Sequence, residues 1–259
     1  MTIATTSFRF RYILLRRLPS LSFFLAAVAL IMLALGPIGW RAGWWHFRVG
    51  FFYLMPWAGY FGVAAVMVAV LALVLGRAVI SWPGVVIGIV AFIAGGLTAY
   101  APLHYYAMGG KYPPIDDITT DTVNPPAFVA VVAARLAEDD NSATYGGARI
   151  AAQQRRAYPD IEPLVLAIPP VKAFAHALDT AHRMGWTIVD GDPVAGRIEA
   201  NDRSRWFGFI DDIVIRITAS GAGSKIDMRS SSRHGRGDFG VNAARIRAYL
   251  AALSQSAGG

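Results

Sequence analysis

The sequence predicts two parts: an α-helical membrane region of three transmembrane helices, then an α+β domain whose antiparallel sheet carries helices packed on one face. Three observations predict it. Residues 18–40, 49–76 and 78–103 carry no charged residue, and each run is long enough to cross a bilayer as a helix, which takes about 20 residues. All of the net charge lies in this apolar half of the chain. Beyond residue 159, apolar positions recur with the period of 2 expected of strands and the period of 3.6 expected of helices.

Composition narrows the class further. With 55% hydrophobic residues over 259 positions, the chain is too apolar for an ordinary soluble domain. Its formal charge of +7 invites a nucleic-acid reading, so the location of that charge matters. Residues 1–110 contain Arg9, Arg11, Arg16, Arg17, Arg41, Arg48 and Arg77 and no acid, whereas residues 111–259 balance 17 basic residues against 17 acids. The excess charge flanks membrane spans and the polar half is neutral, which removes the electrostatic case for a nucleic-acid partner. Cysteine is absent, so disulfides, thiolate metal sites and cysteine nucleophiles are excluded. Arginine far outnumbers lysine, as in proteins from GC-rich bacterial genomes.

Residues 1–17 form a basic, cytoplasmic N-terminus, and 18–103 form the three-span region. Trp40, Trp44, Trp45, Trp57, Tyr100, Tyr105 and Tyr106 sit at the ends of the runs, where interfacial aromatics belong. A buried soluble bundle would need polar stripes, and these runs have none. The first run ends in GPIGW without an A-x-A cleavage site, so it reads as an uncleaved anchor. The second span is placed near 57–76. Gly36, Pro37, Pro83, Gly84, Gly88, Gly95 and Gly96 are tolerated inside membrane helices and allow close packing. Cytoplasmic loops are the basic ones. An N-terminus in the cytoplasm puts five arginines inside and only Arg41 and Arg48 outside. That orientation places the C-terminal domain outside the cytoplasmic membrane, in the periplasm of a double-membrane cell.

Residues 104–126 read as a linker, because Gly109-Gly110 and two Pro-Pro pairs forbid a continuous helix. The α+β domain follows over 127–259. AFVAVVAARLAEDD fits a strand or a short helix, and ARIAAQQRRAY favours a helix. Residues 162–168 read as a strand. Pro169-Pro170 opens a helix to about Met184, with Val171, Phe174, Ala175, Leu178 and Ala181 on its apolar face, and Gly185 ends it. Strands follow at 186–189, 197–203, 211–218 and 225–233, with turns at DGDPVAG and ASGAGS. The last helix starts near Asp238 and packs Phe239, Ala243, Ile246, Leu250 and Leu253. Helix, four strands and helix in this order suggest the α+β class.

DITTDTVNPPAF, YGGARIAAQQRRAYPDIEPL, GWTIVDGDPVAGRIEA, RWFGFIDDIVIRI and MRSSSRHGRGDFGVNAARIRAYL, in this order over roughly residues 115–253, resemble the DUF1499 family. The resemblance implies a shared fold. The family is a domain of unknown function, so no activity or catalytic role comes with the resemblance. A three-span region ahead of the domain fits its membrane-attached members.

The hairpin around ASGAGS has a readable register. Pairing Thr218 with Lys225 sets Ile217 opposite Ile226, Ile215 opposite Met228 and Ile213 opposite Ser230 on one apolar face. Arg216 then faces Asp227 on the other, with Asp212 near Ser231, and a one-residue slip would turn the isoleucines to solvent. Arg216, Asp227 and Arg229 therefore read as a solvated sheet face. Asp211 and Asp212 are neighbours on a strand and point to opposite faces. A metal site or acid–base pair there would need Asp202 or Asp238 as partner, and turn hydrogen bonds and salt links to arginines are the simpler reading.

GRGDFG is literally G-x-G-x-x-G, but the dinucleotide fingerprint also needs a following parallel strand and a later acid. Neither follows, and Asp238 as an N-cap would repel phosphate. Nucleotide binding is rejected, and no cofactor is expected. The histidines do not assemble: His176 and His182 are six apart on one helix, His46 and His104 lie near interfaces, and His234 sits among arginines. No metal site, H-E-x-x-H motif or catalytic triad is legible, so no catalytic residue is assigned.

What remains is a corner formed by Arg203, Arg205, Trp206, Phe207 and Phe209 with Asp211, Asp212, Arg229, Arg233, His234, Asp238 and Asn242. Exposed aromatics beside arginines bind acidic partners or lipid headgroups. The alternative is that the aromatics plug the core while the arginines neutralise Asp211, Asp212 and Asp238. The expectation is a non-catalytic, envelope-associated binding module on a bacterial inner-membrane protein. Its partners are the lipid bilayer and an envelope protein or anionic lipid. Two alternatives stand beside it: a helix-on-sheet grip around a lipid-like ligand, and a carboxylate-dependent hydrolase.

Overall fold

A computed structural model describes residues 2–137 and 141–257. The chain divides into two compact units, residues 1–109 and 110–259.

The first unit holds helices α1 (Thr2–Arg41), α2 (Met55–Leu75) and α3 (Trp82–Met108), with a π-helical stretch, Val49–Leu54, leading into α2. Among the described residues, three segments are long and apolar enough to cross a membrane: Tyr12–Arg41, Val49–Leu75 and Trp82–Met108. The second begins earlier than 57 because the π-helical stretch continues the helix through uncharged residues. Small residues set the packing. A Cβ on Gly62 would come within 2.7 Å of the Gly95 carbonyl oxygen, and a Cβ on Gly95 would meet the Gly62 oxygen equally closely. Gly50 and Gly36 bring the π-helical stretch against α1 in the same way. Without water to drive apolar association, such backbone proximity is how helices cohere in lipid.

The second unit is a six-stranded antiparallel sheet with helices. Its elements are β1 (Asp117–Thr119), α4 (Val132–Ala137), α5 (Gly147–Ala157), β2 (Leu164–Leu166), α6 (Pro170–Arg183), β3 (Thr187–Asp192), β4 (Arg197–Arg203), β5 (Ile210–Ser220), β6 (Gly223–Ser232) and α7 (Val241–Ala257). The order is β1-β6-β5-β4-β3, and β2 pairs with the other end of β6. The long β5–β6 hairpin has the register the alternation demands: Thr218 opposite Lys225, Ile217 opposite Ile226, Ile215 opposite Met228, Ile213 opposite Ser230 and Arg216 opposite Asp227.

The isoleucine face is the core. Ile198, Ile213, Ile215, Ile226 and Met228 are wholly buried beneath α6 and α7. The apolar face of α6 differs from the expected one. Ala173, Ala177 and Ala181 are buried with Thr180, Phe174 and Leu178 flank them, and Val171 and Ala175 face outward. Alanines let the helix axis lie close to the sheet, so the contact stripe follows them and the larger side chains fill in at its edges. Tyr249 of α7 stacks on Trp186 at 5.0 Å and donates its hydroxyl to the Ala177 carbonyl at 2.8 Å, joining α7 to α6. Helix α7 begins at Val241. Phe239 has a φ of 53° and Asp238 caps the turn before it.

Residues 115–119, read as linker from their composition, belong to the domain: Ile115 and Ile118 are buried and β1 pairs with β6. The outer edge of β1 is satisfied by a side chain. The Gln154 amide of α5 accepts from Thr119 N at 3.0 Å and donates to Thr119 O at 2.6 Å, as a neighbouring strand would. The second face of the sheet is not solvated, which corrects the expectation for Arg216, Asp227 and Arg229. Residues 120–137 and 141–146 pass over it as a strap, which includes the short helix α4, and Asp227 and Arg229 lie buried beneath. Of the AFVAVVAARLAEDD run, 132–137 is helical and 138–140 lies outside the described residues.

Candidate functional site

Strand pleating divides the twelve corner residues between the two faces of the sheet. Asp211 lies on the α7 face and Asp212 on the strap face, so the adjacent pair does not converge.

On the strap face, Asp212 is wholly buried and receives two arginines. Arg233 grips it through Nε at 2.9 Å and Nη2 at 3.0 Å, and Arg135 through Nε at 2.7 Å. Arg135 also donates to Ser231 O at 2.7 Å. Arg229 makes a bidentate pair with Asp117, both contacts at 2.8 Å, and donates to the strap carbonyls of Pro126 and Ala143. The Phe128 ring lies against both guanidinium groups, 4.6 Å from Arg229 and 5.1 Å from Arg135. Further along, the buried Glu199 carboxylate accepts from three successive backbone amides, Val129, Ala130 and Val131, at 2.8–3.1 Å. It thereby satisfies the backbone donors of the turn that leads into α4. The strap is thus fastened mainly by charge, since its apolar contribution is the small cluster of Phe128, Val131 and Val214.

On the α7 face, Arg245 gathers the acids. It contacts Asp211 at 2.7 Å and Asp202 at 2.9 Å, and Asn242 Oδ1 at 2.6 Å. Asn242 accepts from Ser230 Oγ and donates to Ser232 Oγ and to the Asp116 carbonyl. Asp238 accepts from the backbone amides of Gly240 and Asn242 at 2.9 and 2.7 Å, and burial holds its carboxyl above the usual range. Asp116 is pushed up to about 6, first by burial and then by the neighbouring Asp117. Among the described residues, no three of His, Asp and Glu come together as metal ligands.

The remaining corner residues form the tip that joins β4 to β5. Ser204 closes this loop: its amide donates to Phe209 O at 2.8 Å, its hydroxyl accepts from Phe209 N at 2.9 Å, and its carbonyl accepts from Gly208 N at 3.0 Å. Gly208 has a φ of 75°, which a side chain would strain. Phe207 is buried and stacks on Phe209 at 5.1 Å, and Phe209 meets the His234 ring at 6.1 Å, which brings the β6–α7 loop alongside. Arg203, Arg205 and Trp206 point outward, Trp206 with 37% exposure. The neighbouring Arg236 is also exposed.

The structure therefore engages Asp211, Asp212, Arg229, Arg233, Asp238 and Asn242 in ion pairs and hydrogen bonds, buries Phe207, and sets Arg203, Arg205, Trp206, Phe209 and His234 around the tip. Sequence reasoning missed Arg135, Glu199, Arg245 and Asp116. Glu199 leaves one signal, an acid between apolar strand residues. Arg135 leaves none, because its partner is 77 residues away.

Residues 117–253 match the family model DUF1499, described as a protein of unknown function. No curated protein matches the chain. Among solved structures, the crystal structure of Ara h 8.0201 aligns at 15% identity over 38% of this chain and 96% of that one, with a TM-score of 0.24. That likeness is too slight to carry an argument.

Proposed function

The chain belongs to the DUF1499 family, and we propose that it is a multi-pass protein of the bacterial cytoplasmic membrane whose C-terminal domain is an extracytoplasmic, non-catalytic binding module for an envelope component. One observation carries this reading. The carboxylates of the corner are consumed by ion pairs and amide caps, while the rigid β4–β5 loop holds Arg203, Arg205 and Trp206 outward. A pre-organised loop on a braced scaffold is where contact residues are commonly presented. The arginine asymmetry around the three spans supports the extracytoplasmic placement.

The two other readings gain less support. A grip around a lipid-like ligand needs space between α6 and the sheet, and Ala173, Ala177, Ile213, Ile215 and Tyr249 fill that layer. A carboxylate-dependent hydrolase needs acids that converge, whereas Asp211 and Asp212 point to opposite faces and each is bound by arginine.

The test is in-cell photo-crosslinking with the full chain, placing a photoreactive residue at Trp206 and, as a control, at the exposed Val171. Adducts to an envelope protein or to lipid at position 206, absent at 171, are the expected result. Identical or absent labelling at both positions would remove the reading.

A further inference from the structure

We propose that the membrane region holds one acyl chain of a phospholipid in a groove between α2 and α3. The site goes beyond the binding-module reading: it uses only the apolar helices and is independent of the β4–β5 tip. The groove measures about 240 Å³, and Gly59, Tyr60 and Val63 of α2 line it together with Pro102, Leu103 and Tyr106 of α3. Both helices contribute residues at i, i+1 and i+4, a spacing that gathers side chains along one face. No charged side chain is among its lining residues.

The shape of the groove follows from residue size. Gly59 and Pro102 are buried and form its floor, and a Cβ on Gly59 would come within 3.0 Å of the Pro102 Cβ. Tyr60, Leu103 and Tyr106 are each more than half exposed and Val63 more than a third, so they stand as walls. The hydrocarbon layer has no water to fill such a groove, and leaving it empty would forfeit the dispersion contacts of its lining. The methylenes of the bilayer itself match that lining. The tyrosines add direction, because a tyrosine suits a boundary where its ring is in apolar surroundings and its hydroxyl is wet. Tyr106 lies in the last turn of α3, whereas Val63 is beside Gly62, which packs against Gly95 deeper in the span. The chain therefore enters beside Tyr106, with its ester end near that hydroxyl, and runs inward toward Val63.

A helix from a second copy of the chain fits this groove less well. A helix with its side chains is about 10 Å wide, and helices cohere in lipid by bringing small residues together. Here the small residues lie on the floor and are already used between α2 and α3, while the bulky walls hold another backbone away. A polymethylene chain is narrow enough to lie between those walls. The volume agrees. Sites that enclose a whole drug-sized molecule take about 300 Å³ or more, so 240 Å³ suits a segment of one chain, with the rest of the lipid outside.

The full chain in nanodiscs tests this directly. Discs of phosphatidylglycerol and phosphatidylcholine are doped with a phospholipid that carries a diazirine on one acyl chain, and crosslinks are mapped by peptide mass spectrometry. Labelling at residues 59–63 and 102–106 should exceed, several-fold, that at Trp57 and Leu97, which are also exposed on α2 and α3. It should saturate at a low fraction of probe, whereas ordinary boundary contact rises in proportion to the probe. Val63→Trp, which fills the groove from its wall, should remove the excess and leave labelling at Trp57 and Leu97 as before. The distribution of label and its saturation need no variant, so the test stands even if that substitution misfolds. Equal labelling on all exposed faces, or labelling proportional to the probe throughout, overturns the proposal. The chain has no cysteine of its own, so Leu103→Cys reports a second copy by disulfide. A disulfide-linked dimer that blocks the lipid label overturns the proposal too.

Discussion

Asp116 is the residue whose charge state the fold disturbs most usefully. Its Oδ2 accepts from Asn141 Nδ2 at 2.7 Å, and burial with the adjacent Asp117 pushes its carboxyl up to about 6. A folded value above the unfolded one means that the fold favours the protonated acid. The stabilisation is complete below about pH 4 and is lost as pH rises through about 6. At about 1.4 kcal/mol per unit, and allowing for partial exposure, the loss is about 2 kcal/mol. Asp116→Asn should therefore gain about 2 kcal/mol on the native chain between pH 4 and pH 7, read by native-state hydrogen exchange in β5 and β6. A pH-independent difference would show that Asp116 titrates normally. Arg233 and Arg203 make a second contrast. Arg233→Glu sets a like charge against buried Asp212 and should cost 3 kcal/mol or more, about what breaking a buried pair costs. Arg203→Glu, on the exposed tip, should stay within about 0.5 kcal/mol. Equal costs would show that the two arginines do the same job.

The β5–β6 hairpin and the strap differ in what holds them. Ile215 lies in a dry layer, so Ile215→Asp buries an unpaired charge and should unfold the domain. Arg216 lies on the other face, in contact with Asp121, Asp227 and the Asn124 carbonyl. Asp227 keeps Lys225 at 3.3 Å when Arg216 is removed, so Arg216→Ala should cost about 1–2 kcal/mol, more than a solvated pair would. For the strap, the informative change is Glu199→Gln. It keeps the shape but removes the charge that three amides and Arg197 address. Exchange should accelerate first at 129–137, with a loss of about 2 kcal/mol there, while β5 and β6 stay protected. If the central strands opened together with the strap, the strap would be part of the cooperative core.

For the whole molecule the decisive question is orientation. On the proposed orientation, which keeps five of the seven arginines of residues 1–110 on the cytoplasmic side, the C-terminal domain lies outside the cytoplasmic membrane. Alkaline phosphatase fused after Gly259 should be active, and green fluorescent protein exported there through the general secretion route should be dark. Bright fluorescence with inactive phosphatase would reverse the orientation.

Patterns that depend on near neighbours were legible in the sequence. Uncharged runs mark the three apolar helices because lipid admits no other composition. The alternation of Ile213, Ile215 and Ile217 fixes the hairpin register because a slip of one residue would expose all three. The Asp238 cap and the ends of α6 follow from local backbone chemistry. What tertiary structure alone decided is which charges are buried. Arg229 meets Asp117 across 112 residues, and Arg135 meets Asp212 across 77. A composition that reads as solvated face, or as linker, thus becomes the fastening of a strap. Pairing of distant charges depends on where the chain returns, and neither period nor propensity records that. The same returns engage the corner's acids and leave Arg203 and Trp206 exposed at the tip, so the candidate surface was visible in sequence only as part of a larger cluster.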